Sequence, residues 1–219
     1  MRPALLAPAA ALLFSATALA AEAEAPLVRD LDPAMNARLN AREGIEFFAG
    51  VDRVLGLGPD APGQTGWGLS AGAYVVPDNR GNPGWQTRWG GAFTYFGTSG
   101  SETIRGRDTD ISVDAAYITL EYGGTTRFAR DWEAGVMFGL GTGFLVGASD
   151  DGSSVDTNVN WDWVLRAKPM LIWHANRSVH VYGAYKLDLV SPFYNTNLIG
   201  YRSATLLKSS VELGVTWRF

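Results

Sequence analysis

Hydrophobic and polar positions alternate along most of this chain. At its end, Val211, Leu213, Val215, Trp217 and Phe219 occupy every second position, and Glu212, Thr216 and Arg218 fill most of the gaps. A period of two puts the first set on one face of a β-strand and the second on the other. The pattern recurs upstream. It predicts strand one over roughly 44–55, with Ile45, Phe47, Ala49 and Val51 opposed to Glu46, Gly50 and Asp52. Strand two, roughly 65–76, sets Trp67, Leu69, Ala71, Ala73 and Val75 against Gly66, Gly68, Ser70 and Gly72. Strand three, about 85–97, sets Trp85, Trp89, Phe93 and Tyr95 against Gln86, Arg88 and Thr94. Strand four, about 110–123, changes phase near Ala115-Ala116, which reads as a β-bulge. Strand five, about 131–147, carries Trp132, Ala134, Val136, Phe138, Leu140, Phe144 and Val146 on one face, with Glu133 and four glycines on the other. In strand six, Val159, Trp161, Trp163, Leu165, Ala167, Leu171 and Trp173 alternate with Asn160, Asp162, Arg166, Lys168 and His174. In strand seven, Val179, Val181, Tyr185, Leu187 and Leu189 alternate with His180, Tyr182, Lys186 and Asp188. Strand eight runs over about 203–219.

Eight such strands predict an all-β fold, an antiparallel eight-stranded transmembrane barrel with its apolar face on lipid and its polar face on the lumen. An even strand count returns both ends of the barrel to the same side, expected to be the periplasm. Segments 56–64, 98–109, 148–158 and 191–202 are then the outer loops, and 77–84, 124–130 and 175–177 the periplasmic turns. Trp85, Trp132, Trp173 and Trp217 fall near the periplasmic strand ends, and Trp67, Tyr95, Trp161 and Trp163 near the outer ends. Two aromatic girdles at headgroup level have this arrangement. No segment after the amino-terminus approaches the roughly 18 consecutive apolar residues of a transmembrane helix, so a closed barrel is the main route into a membrane.

The amino-terminus is consistent with export. Met1-Arg2, the apolar stretch 4–19 and the A-x-A site Ala18-Leu19-Ala20 predict a cleaved signal peptide over residues 1–20. Residues 21–43 then form a periplasmic leader, in which Asp32-Pro33 caps a short helix over 34–43, and residues 44–219 form the barrel. The chain has no Cys, which excludes a disulfide framework and a lipoprotein anchor, and its net charge of −4 gives no footing for nucleic acid.

Two stretches carry a family resemblance. The run Thr126-Arg-Phe-Ala-Arg-Asp-Trp-Glu-Ala-Gly-Val-Met-Phe-Gly-Leu-Gly-Thr-Gly-Phe144 resembles a strand end, turn and fifth strand of small eight-stranded outer-membrane proteins, and so does the terminal Gly214-Val-Thr-Trp-Arg-Phe219. The family is the OmpA/OmpX/Ail-like group. The resemblance implies the barrel fold, the outer membrane of a Gram-negative bacterium, and roles that range from structural to adhesive. It also implies that Val211, Leu213, Val215, Trp217 and Phe219 are the signal for the barrel-assembly machinery.

The inward positions hold a roughly balanced charge set: Asp52, Asp114, Arg166, Lys168, Lys186, Asp188, Lys208 and Glu212. A barrel of this size is filled by its own side chains, and buried opposite charges there are expected to pair. The alternative is a narrow, gated pore for small solutes or ions along the inward glycines Gly66, Gly68, Gly72, Gly135, Gly139, Gly141 and Gly143. His174, His180 and Glu133 converge at the periplasmic mouth. Two His and a carboxylate form a metal-ligand set, but no ligand-spacing motif supports one and a polar rim is the simpler reading. Both histidines map to the periplasmic end, away from the outer leaflet where a lipid-modifying enzyme would need a general base. The expected protein is therefore no enzyme, has no cofactor, and has outer-membrane lipid and lipopolysaccharide as partners. Two outer segments add to this: the acidic Asp150-Asp-Gly-Ser-Ser-Val-Asp156, a solvated loop rather than a loose Ca²⁺ or lipopolysaccharide-cation contact, and the apolar Pro192–Tyr201, a mouth cover, a lipid contact or a protein contact.

Overall fold

A computed structural model describes residues 44–58, 64–77, 85–104, 107–129, 131–150, 152, 155–176, 178–192 and 205–219. The expected signal peptide and leader helix, and most of the segments 77–84 and 191–202, lie outside these residues.

Eight strands account for nearly all the described chain: β1 (Gly44–Gly56), β2 (Thr65–Val76), β3 (Gln86–Ile104), β4 (Arg107–Ala129), β5 (Trp132–Asp150), β6 (Val155–His174), β7 (Val179–Pro192) and β8 (Leu206–Arg218). Each pairs antiparallel with its neighbour in sequence, and β8 pairs back on β1, so the sheet closes. The strands are steeply tilted. Following the ladder from Ile45 through Val75, Trp89, Tyr122, Phe138, Ala167, Leu187 and Ser209 returns to β1 at Gly56. That is eleven residues farther along, one of them the extra residue of a bulge between Val54 and Gly56. A shear of this kind fixes the tilt and the narrow bore of an eight-stranded barrel.

The side-chain period sets the two faces. Ile118, Leu120 and Leu213 are 64 %, 74 % and 64 % exposed on the outside, while Arg88, Lys186 and Lys208 are fully buried within. This is the reverse of a water-soluble barrel. Trp67, Trp85, Trp132, Trp161 and Trp173 and Tyr95 are also exposed on the outer face, and Trp163 and Trp217 are half-exposed.

Two expectations are corrected. β4 has no bulge at Ala115-Ala116: its register against both β3 and β5 runs unbroken there. The apparent change of phase arises because Ile111, Val113, Ala115 and Tyr117 are apolar but point inward. The segments 98–109 and 148–158 are mostly strand rather than loop, since β3 and β4 pair up to Ile104 and Arg107, and β5 and β6 up to Asp150 and Val155. Their polar outward residues, such as Ser99, Ser101 and Asp110, lie beyond the apolar band, where a strand no longer alternates against lipid and reads as a loop. The β5–β6 connection then turns on Gly152 at φ 77, whose amide donates to the Asp150 carboxylate at 2.8 Å, a backbone region that Gly adopts without penalty. The 124–130 turn likewise shrinks, as β4 continues to Ala129. The 175–177 turn matches: Asn176 accepts from the amides of Ser178 and Val179 at 2.9 and 2.7 Å, an Asx arrangement.

Candidate functional site

The lumen is the only place where this fold gathers chemically able side chains among the described residues, and it is built in tiers. The end that carries Gly44 and Phe219 is the terminal end, and the opposite one the hairpin end.

At the terminal end, Arg88 donates to Glu46 at 3.3 Å and to Glu133 at 3.1 Å. It also donates to Thr125, whose hydroxyl donates to Glu133 at 2.7 Å. Arg218 donates to Glu46 at 2.7 Å. The expected convergence of His174, His180 and Glu133 is present: His174 Nε2 lies 2.8 Å from Glu133, and the two imidazoles meet edge to face at 4.2 Å. His180 Nδ1 turns instead to Thr216 at 3.3 Å. The β6–β7 turn brings the two histidines opposite each other in register, and Glu133 enters from the start of β5. Glu133 is held by Arg88, Thr125 and His174 together, so its oxygens are engaged within the protein.

An apolar tier follows, with Phe48 stacked on Tyr74 at 4.8 Å and Tyr182 edge-on to Phe48 at 6.4 Å. Their rings recline over inward glycines: a Cβ at Gly72 would lie 2.7 Å from the Phe48 ring, and one at Gly214 2.5 Å from that of Tyr182. Aromatic side chains therefore occupy this space.

The middle tier is an ion-pair network. Arg166 grips Asp188 with two hydrogen bonds of 2.7 and 3.1 Å and reaches Glu121 at 3.0 Å. Lys208 reaches Asp188 at 2.5 Å, Lys186 reaches Asp52 at 2.6 Å, and Lys168 reaches Glu212 at 3.0 Å. Ser70 and Tyr182 donate to the second Glu212 oxygen, Tyr182 at 2.6 Å, and Tyr74 donates to Glu121 at 2.5 Å. Gly50 permits the Glu212 contacts, since a Cβ there would sit 2.6 Å from the carboxylate and from the Tyr182 hydroxyl. Lys168 also lies over the rings of Phe48 and Tyr182, and Lys208 over Phe96, contacts that stabilise a desolvated cation.

Asp52, Arg166, Lys168, Lys186, Asp188, Lys208 and Glu212 thus meet in one network. Asp114 does not. It is exposed on the outer face and accepts from the Tyr95 hydroxyl at 2.9 Å, because the even-numbered residues of β4 face outward along its whole length. With that phase Glu121 points inward, and its role in the network follows. Glu46, Arg88 and Arg218 join the lumen beyond the expected charge set. All three already stand on the inward faces that the alternation of strands one, three and eight predicts; the expected charge set omitted them.

Above the network, toward the hairpin end, lies a second apolar tier of Val54, Leu57, Phe96, Ile111, Val113, Ala115, Tyr117, Leu145, Val164, Val190 and Leu206. On the outer face of that end, Ser99, Ser101, Ser112, Asp110 and Asp150 border an open depression of about 400 Å³. No group of three or more potential metal-ligating side chains is found among the described residues.

No protein-family model matches the chain, and no curated protein matches its sequence. Solved structures similar to it include Ail, the attachment invasion locus protein of Yersinia pestis, at 15% identity and TM-score 0.41, covering 81% of this chain and 97% of that one. Neisserial surface protein A is similar at 11% identity and TM-score 0.47, covering 81% and 97%. A major outer membrane protein of Thermus thermophilus is similar at 13% identity and TM-score 0.48, covering 80% and 99%. The closed antiparallel eight-stranded barrel rests on this chain's own strand pairing.

Proposed function

We propose that this chain is an integral barrel of the bacterial outer membrane with a structural or interaction role, a lumen closed by its own side chains, and no catalytic chemistry. One observation carries the reading. The barrel is inverted, with a continuous apolar, aromatic-rimmed outer face and a lumen whose charges pair with one another between two apolar tiers. An outer face of that kind is stable against lipid and costly in water. In this reading residues 1–20 are a cleaved signal peptide, the terminal end faces the periplasm, and the hairpin end meets lipopolysaccharide. A conducting bore would need the central ion pairs to part, but each member of the central network has a partner within 3.1 Å.

The deciding experiment is single-channel recording of the refolded protein in a planar bilayer, alongside Lys186→Ala and Asp188→Ala. Silence from a folded wild-type barrel is expected. Discrete conductance steps that change with either substitution would replace this reading with a narrow channel for small solutes or ions.

A further inference from the structure

One lumen carboxylate has no place in the network. Asp162 on β6 is 1 % exposed, and neither of its oxygens has a hydrogen-bond partner. The central cations are already matched: Arg166, Lys168, Lys186 and Lys208 stand against Glu121, Asp188, Asp52 and Glu212. Asp162 is therefore the surplus negative charge, standing between Asn160 and Val164 on the inward face of β6. A bare carboxylate there is expensive unless something compensates it.

A second buried polar side chain nearby is unsatisfied. Tyr117, from β4, reclines over Gly143, where a Cβ would lie 2.5 Å from its ring. Gly143 is the β5 residue directly beside Asp162, so the ring leans from β4 toward β6 and comes within electrostatic range of the carboxylate. Its hydroxyl has no partner. In native proteins orphaned buried polar groups are few, and each calls for an occupant.

We propose that the lumen binds a small monovalent cation beside Asp162, with that carboxylate as its counter-ion and the Tyr117 hydroxyl as a neutral oxygen ligand. The donor set is all oxygen, which selects hard cations or a protonated amine over soft transition metals. One uncompensated negative charge matches one positive charge, whereas a divalent ion would leave an excess buried.

The test uses the full chain refolded in detergent, with its unfolding midpoint in urea followed at constant ionic strength. Na⁺, K⁺ or methylammonium replaces N-methylglucamine, a far bulkier cation. A ligand bound only by the folded state raises stability with its concentration. At least one small cation is expected to raise the midpoint saturably in the wild type. Asp162→Asn should abolish the dependence, and Tyr117→Phe should weaken the half-saturating concentration several-fold. Methylammonium against the alkali ions separates an amine site from a metal-ion site. Crystals soaked in Tl⁺ give a readout that does not need the variants to fold: an anomalous peak against the Asp162 carboxylate is expected. A wild-type midpoint indifferent to cation identity, an equal response in Asp162→Asn, or Tl⁺ found only elsewhere would overturn the proposal.

Discussion

Asp188 joins two cations of the central network, because it accepts from both Arg166 and Lys208. Asp188→Ala leaves Lys208 with no carboxylate and Arg166 with Glu121 alone. Removing one partner of a buried ion pair typically costs about 3–5 kcal/mol, so the unfolding free energy of the refolded protein in urea should fall by about that much. A loss below about 1 kcal/mol would mean that water reaches the network and screens it. The lumen as a set of charges was legible in the sequence, since seven of the eight charges expected inside stand at inward parity on cleanly alternating strands. The satisfaction of each was not. Tyr74 of β2 donates to Glu121 of β4, and Lys186 of β7 to Asp52 of β1, and nothing in strand-by-strand alternation reports which residues of non-adjacent strands meet.

At the scale of the element, alternation decides the face and lipid enforces it. Leu213 is 64 % exposed midway along β8, and Leu213→Arg would place a charge near mid-membrane at about 2–4 kcal/mol. The yield of heat-modifiable folded protein should drop accordingly. A normal yield would contradict a lipid-facing position for β8. β4 shows where such reading breaks down. Alternation predicts a face only where the two faces meet different surroundings. In the hairpin-end half, the lumen is lined by Val113, Ala115 and Tyr117 while the outer face carries Ser112 and Asp114, so the hydrophobic phase inverts with no change in the backbone. The same inversion hid the upper parts of β3 and β5. There the outward residues are Ser99, Ser101 and Asp150, and polarity on a strand beyond the lipid imitates a loop. The short turn at Asn176 was visible because its chemistry is local.

The whole molecule is lopsided. β3 to β6 have 19, 23, 19 and 20 residues, while β1, β2, β7 and β8 have 13, 12, 14 and 13. About 9–11 tilted residues cross a bilayer, so the shorter strands suffice and the surplus of the longer four stands as a wall beyond the hairpin-end rim. The tip of the β3–β4 hairpin should then be dispensable for assembly: replacing 101–108 by a two-residue turn should leave heat-modifiable folding intact. The seam between β1 and β8 should not be dispensable. It is the one pairing that joins the two ends of the barrel sequence, and until it forms both strands are open edges in a medium with no water to satisfy them. Phe219 lies at that seam: its amide donates to the Ile45 carbonyl at 3.1 Å, and its ring meets Phe47 edge to face at 6.0 Å. Deleting Phe219 removes little of the finished barrel, so the stability of molecules that do fold should change modestly, by about 1 kcal/mol for the hydrogen bond. The rate of membrane insertion should suffer far more if the seam must align before the barrel closes, because this residue helps align it. In cells the unfolded, non-heat-modified form should accumulate after deletion. Insertion at the wild-type rate would show that the seam closes from its hairpin end, where Ser209 pairs with Gly56, and that the terminal aromatic residue serves only the finished lipid contact.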